Sequence, residues 1–302
     1  MPSAHDRSVI SSAGVREQAA RAGSTVEQLM VDLLPAAQAL ARPAISGFRV
    51  GAIAHGLSGA LYFGANLEFV GQALSCSVHA EQAAVTNAWL HGEAGVTTIA
   101  VTTGPCGYCR QFLNELVTAD RLSIIRPGIA SEPLAALLPA AFGPHDLGVH
   151  GGLMERSAHG LALEHPPAGD EPDPVYAAAL EAANASYAPY SLTYAGVALG
   201  LADGSVAAGR YAENAAFSPS LSPLQAALAR LAITAVPYRE IRRAVLVESD
   251  GAASQRGVTE TLLAGVAPGI RLAYARAVPG PVGSATVQAP AGLDSTDTPA
   301  LS

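Results

Sequence analysis

The residue types that could do chemistry in this chain of 302 residues are concentrated in two short segments. The first, SVHAEQAAVTNAWL, places His79 and Glu81 two positions apart where an apolar helical pattern begins. On an ideal helix those two side chains would point about 200° apart, because each residue turns the chain by about 100°. A helix has no structural need for both groups at one end. The pair therefore suggests an imidazole that binds a metal beside a carboxylate that moves protons.

The second segment, GPCGYCRQF, supplies two thiols. Cys106 and Cys109 are three positions apart at the predicted start of a helix, so both sulfur atoms lie on one face. The helix dipole and the unpaired N–H groups at such an end favour thiolates. With His79 they provide three ligands for one zinc ion per chain, and an open fourth position is typical of a catalytic site. Zinc held there would activate a water molecule, with Glu81 as the proton shuttle.

Less specific explanations of the same residues stay open at this point. A C-x-x-C pair can be a redox pair or a chance occurrence, and His79 can simply cap a helix. A zinc-binding scaffold without activity would not need Glu81, because zinc alone does not require that carboxylate. The third cysteine, Cys76, is expected to be a passive thiol, since three cysteines make a poor disulfide framework.

Composition argues against several other classes of function. Half of the residues are hydrophobic and 14% are charged, so the chain can bury a sizeable core, and its length suits about two domains. The formal net charge of −8 argues against nucleic acid as a partner, because phosphates require a basic surface. No signal peptide is visible, and no stretch of about 20 apolar residues could span a membrane. We therefore expect a cytoplasmic protein.

Alternating strand and helix patterns predict the elements that position the reactive residues. Strands that alternate with helices indicate an α/β fold with helices on both faces of the sheet. Pro35 predicts a kink or a break in the first helix, and residues 1–25 show little pattern. The predicted helices are 26–40, 78–90 and 105–116, and the predicted strands are 48–54, 59–64, 97–102 and 122–125.

The second half of the chain repeats the first. A shift of 145 residues aligns Ser46 with Ser191, Gly51 with Gly196 and Glu68 with Glu213, and a shift of 143 aligns Gln82 with Gln225. These matches occur in the same order at nearly one offset, which indicates an internal duplication. The same alignment places Ser222 opposite His79 and Leu224 opposite Glu81. We therefore expect the second half to bind no metal.

Taken together, these motifs resemble a known family. His79-Ala80-Glu81 and Pro105-Cys106-Gly107-Tyr108-Cys109 match the H-x-E…P-C-x-x-C signature of zinc nucleobase deaminases. With FRVGA, GANLE and PCGYCRQFLNEL, the chain is similar to the dimeric, two-domain type of bacterial cytidine deaminase over about residues 27–275. The resemblance implies two α/β/α-sandwich domains with mixed sheets, the second a degenerate repeat of the first, assembled as a homodimer with shared active sites.

The resemblance also implies roles for individual residues. Phe48 would pack against the pyrimidine, and Asn66 and Glu68 would bind the ribose hydroxyls. Backbone atoms of Ala80, Gly104 and Pro105 would contact the edge of the base, and Phe142 would close the pocket of the neighbouring subunit. The implied reaction is the hydrolysis of cytidine and deoxycytidine to uridine and deoxyuridine with release of ammonia, as in pyrimidine salvage.

Two alternative functions stay open. The main alternative is a zinc deaminase for another nucleoside, base or nucleotide, although a nucleotide enzyme needs cations and this half offers few besides Arg49 and Arg110. A non-catalytic zinc-binding scaffold is the other.

The predicted divisions of the chain are an extension 1–26, a catalytic zinc domain 27–150, a linker 151–170, a degenerate domain 171–276 and a disordered tail 277–302.

Overall fold

The computed structural model describes residues 8–167 and 172–280. The first half forms a six-stranded mixed sheet. Its strands are β1 (Val9–Ile10), β2 (Gly51–Gly56), β3 (Leu61–Ala65), β4 (Val96–Val101), β5 (Ser123–Arg126) and β6 (Ile129–Pro133), and its helices are α1 (Ser12–Ala22), α2 (Val26–Ala39), α3 (Ala80–Leu90), α4 (Gly107–Leu113) and α5 (Leu134–Leu137). The strand order is β1-β3-β2-β4-β5-β6, and only the β4–β5 pair is parallel among these strands.

Helices cover both faces of this sheet, as the sequence predicts. Side chains alternate along β2, so that Ile53 packs against α1 and α2 whereas Ala52 and Ala54 face α3. The helix α3 lies directly on β3 because Gly64 has no side chain: a Cβ at that position would be 2.2 Å from the backbone nitrogen of Ala84. This close approach fixes the helix whose first residues carry the predicted chemistry.

The second half has the same arrangement. Its strands are β7 (Leu161–Leu163), β8 (Ala195–Leu201), β9 (Val206–Arg210), β10 (Ile241–Ser249) and β11 (Leu272–Pro279), and its helices are α6 (Pro174–Asn184), α7 (Pro223–Ile233) and α8 (Arg256–Val266). The strand order is β7-β11-β10-β8-β9. The run β9-β8-β10-β11 therefore matches β3-β2-β4-β5, with the same strand directions at every pair. This shared topology confirms that the second half is a repeat of the first.

The two halves share one hydrophobic core. The helices α3 and α7 pack against each other, and buried residues from both sheets belong to the same cluster. Almost the whole of α3 is buried, from Ala80 through Trp89, because the sheet covers one side and the second half contributes to the other. Trp89, which the sequence predicts to be a core residue, is 5% exposed.

The N-terminal segment differs from the expectation. Residues 12–22, where little pattern was expected, form α1. Only two of its side chains, Val15 and Ala19, are buried, so its apolar periodicity is weak. The next helix, α2, continues through Pro35 without the expected break. Packing of neighbouring side chains such as the buried Leu34 offsets the hydrogen bond that proline cannot make.

The connection and the C-terminal segment also contain regular structure. Within the predicted linker 151–170, the strand β7 pairs with β11. The strand β11 continues to Pro279, into the predicted tail 277–302, because Ala277 is 2% exposed and pairs with strands on both sides. The rest of that tail, beyond residue 280, lies outside the described residues. Among the described helices, none combines the length and the apolar character needed to cross a membrane.

Candidate active site

The three predicted metal ligands lie together. His79 Nδ1 is 3.5 Å from Cys106 Sγ and 3.2 Å from Cys109 Sγ, and the three ligand atoms all lie within 4.8 Å of one another. Donors around a tetrahedral zinc, at about 2.0–2.3 Å from the ion, are separated by about 3.5–3.8 Å. The group therefore fits zinc in both donor type and spacing. The described residues contain no second group of this kind, in either half.

Two helix N-termini bring these ligands together. His79 is the N-cap of α3, and its extended backbone (φ −84°, ψ 155°) places it outside the helix. The ideal separation of about 200° therefore does not apply, and His79 and Glu81 line the same pocket. Cys106 is likewise an extended N-cap, so α4 begins at Gly107 rather than at Pro105 as expected. Capping, rather than helical periodicity, decides where these side chains point.

The thiols and the imidazole perturb one another. The pKa of Cys106 is lowered to about 3, first because the Cys109 thiol donates a hydrogen bond to it and also because His79 lies close. The same hydrogen bond, together with burial, raises the pKa of Cys109. The hydrogen bond with Cys106 raises the pKa of His79. These neighbours favour the thiolate form of Cys106, and zinc binding would favour that form at both sulfur atoms.

Glu81 lies beside this group in the first turn of α3. It is 4% exposed, and its carboxylate shares a hydrogen bond with the Cys109 thiol. Burial raises the pKa of Glu81 above its ordinary value. A carboxyl whose pKa moves toward neutrality both accepts and releases protons efficiently near pH 7. Its position and its pKa therefore suit a proton shuttle at the metal site.

A pocket of about 450 Å³ opens in front of the ligand group. Segments far apart in the sequence form its walls, from the loop before β2, the end of β3, the start of α3 and the loop before α4. The residues predicted to bind substrate that line it are Phe48, Asn66, Glu68, Ala80 and Gly104. Phe48 is 60% exposed, so most of its ring is accessible to a ligand.

Asn66 already holds one wall of the pocket. Its Oδ1 accepts a hydrogen bond from the N–H of Val50 at 2.8 Å, and its Nδ2 donates to the carbonyl of Phe48 at 2.9 Å. These bonds leave one N–H donor of the amide available. Asn66 therefore fixes the backbone beside Phe48 and can still reach a ligand with its second donor.

Glu68 clamps the loop beyond that wall. Its carboxylate accepts hydrogen bonds from the N–H groups of Ile45 and Ser46, each at 2.7 Å, and from the Ser46 hydroxyl at 2.5 Å. Glu213 makes the same contacts with Tyr190 and Ser191 in the second half. The clamp is therefore a feature of the fold, and the carboxylate retains one further acceptor site.

Two of the residues predicted to bind substrate lie outside the lining of this pocket. Pro105 is buried, and its carbonyl accepts a hydrogen bond from Arg110 Nε at 2.8 Å. The side chain of Phe142 is 45% exposed, and its carbonyl accepts hydrogen bonds from Gln111 at 2.8 Å and Asn114 at 3.1 Å. The role expected for Phe142 in a neighbouring subunit stays a prediction.

Three further residues of the site were not assigned to it from the sequence. The hydroxyl of Ser46 donates to Glu68, and Gln82 Oε1 accepts a hydrogen bond from the N–H of His79 at 3.1 Å. The ring of Tyr108 lies 5.1 Å from that of His79. Ser46 and Gln82 recur in the second half as Ser191 and Gln225. This recurrence indicates that both residues stabilise the repeated fold, but it does not by itself place them at the pocket.

Comparisons with known proteins match both halves. A family model described as the cytidine and deoxycytidylate deaminase zinc-binding region matches residues 24–124, and a second with the same description matches residues 134–260. The chain is 48% identical to a curated cytidine deaminase from Shewanella loihica over 84% of each chain. It is 46% identical to one from Photobacterium profundum over 84% of each chain, and 52% identical to one from Aeromonas salmonicida over 78% of each.

Proposed function

We propose, because the chain belongs to the family of zinc-binding cytidine and deoxycytidylate deaminases, that it hydrolyses cytidine and deoxycytidine to uridine and deoxyuridine with release of ammonia. The observation that supports this most is the buried Glu81 carboxylate, which adjoins the group His79, Cys106 and Cys109 and lines the pocket with His79 and Cys106. An imidazole and two thiols leave the fourth position of a zinc ion open, which is typical of a catalytic site. The carboxylate is the part that only a reaction requires.

His79, Cys106 and Cys109 would hold one zinc ion per chain. When bound, zinc supplies the Lewis acidity that makes a water molecule nucleophilic near neutral pH. The two thiolates would balance the charge of the ion, and the burial of Cys109 would keep competing solvent from that side. Three protein ligands leave a fourth position toward the pocket.

Glu81 would move the protons of the reaction. Its carboxylate would take a proton from the attacking water as the new oxygen bond forms at C4 of the cytosine ring, and would deliver that proton to N3. It would then transfer the second proton of the water to the exocyclic nitrogen as the C4–N bond breaks, so that ammonia leaves. Its raised pKa suits both the acceptance and the release of these protons.

The pocket walls would hold the nucleoside. The exposed ring of Phe48 would pack against the pyrimidine, and the backbone of Ala80, Gly104 and Pro105 would contact the edge of the base. The remaining donor of Asn66 and the remaining acceptor site of Glu68 would bind the sugar hydroxyls, which are both donors and acceptors. Since both side chains are already fixed by the protein, little ordering would be required on binding.

The pocket favours a nucleoside over a nucleotide. No lysine or arginine is among the lining residues in the part of the chain that the structure describes. Arg49 and Arg110 donate to backbone carbonyls instead. Arg126, near Gly104, is paired with Glu132. A 5′-phosphate would therefore lack the cationic partner that it usually requires.

Exposed apolar side chains support a homodimer with shared sites. Ile45, Phe48, Leu74 and Phe142 are each at least 45% exposed, and three of them come from segments that line the pocket or adjoin it. Large exposed apolar groups of this kind mark interaction surfaces.

We assign residues 27–150 to the catalytic domain and residues 171–276 to the degenerate domain. We place the enzyme in the cytoplasm and its reaction in pyrimidine salvage.

The test is an assay of ammonia release by the zinc-loaded chain with cytidine, deoxycytidine, cytosine and deoxycytidine monophosphate as separate substrates. We expect turnover of both nucleosides and a much lower kcat/KM for the free base and for the nucleotide. The free base lacks the sugar hydroxyls, and the nucleotide adds an uncompensated phosphate. Preference for the nucleotide or the free base would contradict the proposed substrate class, and no ammonia from any of the four would contradict the activity.

A further inference from the structure

Two buried glutamines occupy equivalent positions in the two halves. Gln82 in α3 and Gln225 in α7 each lie in the first turn of their helix, and they are 0% and 4% exposed. Their side-chain oxygens accept a hydrogen bond from the backbone N–H three residues earlier. That residue is His79 in the first half, at 3.1 Å, and Ser222 in the second half, at 3.0 Å.

The side-chain nitrogens of the same glutamines cross to the opposite half. Gln82 Nε2 donates to the carbonyl of Pro219 at 3.2 Å, and Gln225 Nε2 donates to the carbonyl of Cys76 at 2.9 Å. The shift of 143 residues that aligns the two glutamines also aligns Cys76 with Pro219. The two bridges are therefore the same contact, made once in each direction between the halves.

Only the Gln82 bridge ends at a metal ligand. A histidine that binds a metal usually donates its other ring N–H to a carboxylate or carbonyl, which fixes the ring. In residues 8–167 and 172–280, the hydrogen bonds of the His79 ring involve Nδ1, the nitrogen that faces the thiols. No group of that part of the chain bonds its Nε2, so the orientation of the ring must be fixed in another way.

Gln82 is placed to provide that support. It holds the backbone of His79. Burial raises the pKa of Tyr108, and the side chain of Gln82 lies close enough to the Tyr108 hydroxyl to offset that rise in part. The ring of Tyr108 in turn packs at 5.1 Å from the ring of His79. The backbone of the metal ligand is therefore held by one buried amide, its ring packs on a tyrosine beside the same amide, and that amide is anchored by the Pro219 carbonyl.

We propose that Gln82 is a positioning residue that keeps His79 Nδ1 directed at the metal, and that the second half contributes to this through the Pro219 carbonyl. The inference rests on the metal site proposed above and gives the degenerate half a specific role. That half has lost the ligands but keeps the carbonyl that holds Gln82 in place. A half kept for packing alone would not affect how firmly the metal is held.

The test compares Gln82→Met with Gln225→Met in the full zinc-loaded chain. Methionine has nearly the volume of glutamine, so each substitution removes one cap and one bridge without leaving a large cavity. The lesions are the same, but only the first adjoins a metal ligand. The measurements are the rate of zinc release to an excess of chelator, the temperature of unfolding, and kcat and KM separately.

We expect zinc release from Gln82→Met to be about 10–100-fold faster than from the parent chain. Both methionine variants should lower the unfolding temperature by a similar amount. Zinc release from Gln225→Met should nevertheless stay close to that of the parent chain. Gln82→Glu keeps an oxygen acceptor for the His79 N–H but loses the donor to the Pro219 carbonyl, so its zinc release should be faster than that of the parent and slower than that of Gln82→Met. It also serves if the methionine variant fails to fold.

Three results would overturn the inference. Equal rates of zinc release from the two methionine variants would assign both glutamines to packing. A parental rate in Gln82→Met would remove the positioning role, and a parental rate in Gln82→Glu would remove the contribution of the Pro219 carbonyl. A parent chain that holds no zinc at all would instead contradict the proposed metal site, so the two failures are distinguishable.

Discussion

Glu81 is 4% exposed and shares a hydrogen bond with the Cys109 thiol, and burial raises its pKa. Because Glu81→Gln keeps the shape of the side chain but cannot exchange protons, we expect kcat to fall by at least about 10²–10⁴-fold. Zinc content should stay near one per chain. Glu68→Gln is the control, since it alters a proposed sugar contact and should raise KM more than it lowers kcat. Near-parental turnover by zinc-loaded Glu81→Gln would falsify the proton-shuttle role.

The group of His79, Cys106 and Cys109 could be predicted from the sequence because its chemistry is carried by residue type and short spacing. His79 with Glu81, and Cys106 with Cys109, are each separated by a few residues, and chain connectivity keeps such pairs together. Gln82 could not be assigned in this way, because its role depends on Pro219, which lies 137 residues further along the chain. Contacts between the halves arise from tertiary packing, which local patterns do not encode.

At the scale of elements, the approach of α3 to β3 decides where the first turn of that helix lies. A Cβ at Gly64 would be 2.2 Å from the nitrogen of Ala84 and 2.3 Å from the carbonyl oxygen of Ala80. Gly64→Ala must therefore move α3, and we expect a loss of about 1–3 kcal/mol in the free energy of unfolding, measured by urea denaturation. Activity should fall further than this loss explains, because Glu81 moves with the helix.

Gly209→Ala is the matched control for that prediction. Gly209 occupies the equivalent position in the second half, where a Cβ would be 2.2 Å from the Pro223 carbonyl oxygen and 2.4 Å from the nitrogen of Ala227. The cost in stability should be similar, but kcat of the folded fraction should stay near that of the parent. Equal losses of kcat in the two variants would show that α3 does not position the site.

Elements that are apolar and buried along most of their length were predicted well, and partly buried, weakly patterned ones were not. The strands β2, β3 and β4 and the helix α3 are almost entirely buried, so their sequences are constrained along their whole length. The helix α1 buries two side chains, and β7 is only partly buried. Such elements form because a neighbouring surface supplies their partners. For β7 that partner is the strand β11.

At the scale of the whole molecule, one buried carboxylate joins the halves. Glu115 is 0% exposed and accepts hydrogen bonds from the hydroxyls of Tyr187 at 2.8 Å and Tyr190 at 2.5 Å, and from the N–H of Ala215 at 2.8 Å. Burial raises the pKa of Glu115. The folded state therefore binds this proton more tightly than the unfolded state does. The linked stability is present below the ordinary pKa of 4.5 and is lost as pH rises through the folded pKa.

We therefore expect the free energy of unfolding of the parent, measured by urea denaturation relative to Glu115→Gln, to fall as pH is raised from about 4 toward 7. Subtracting the free energy of unfolding of Glu115→Gln from that of the parent at each pH cancels the contributions of the other titrating groups, which both proteins share. Glu17→Gln, at an exposed surface position, should give a nearly constant difference over the same range. A parent that gains stability relative to Glu115→Gln as pH rises would show that the hydrogen bonds from the second half outweigh burial.

The shared core leads to the last prediction, which concerns the second half as a whole. A chain that ends at residue 170 keeps His79, Glu81, Cys106 and Cys109, yet it loses α7 and with it the apolar partners of α3. The exposed face of α3 would be largely apolar, and the Glu115 carboxylate would lose all three of its partners. We therefore expect this fragment to aggregate or to lose most of its activity per zinc.

A chain that ends at residue 280 is the control, because it keeps every contact that the structure describes. Its activity per zinc should match that of the full chain, and sedimentation of both should give the mass of a dimer. If the active site also needs Phe142 from a second chain, activity should fall when the full chain is diluted until dimers dissociate. A monomeric and fully active fragment 1–170 would contradict both ideas at once, because neither the second half nor a second chain would then be needed to complete the site.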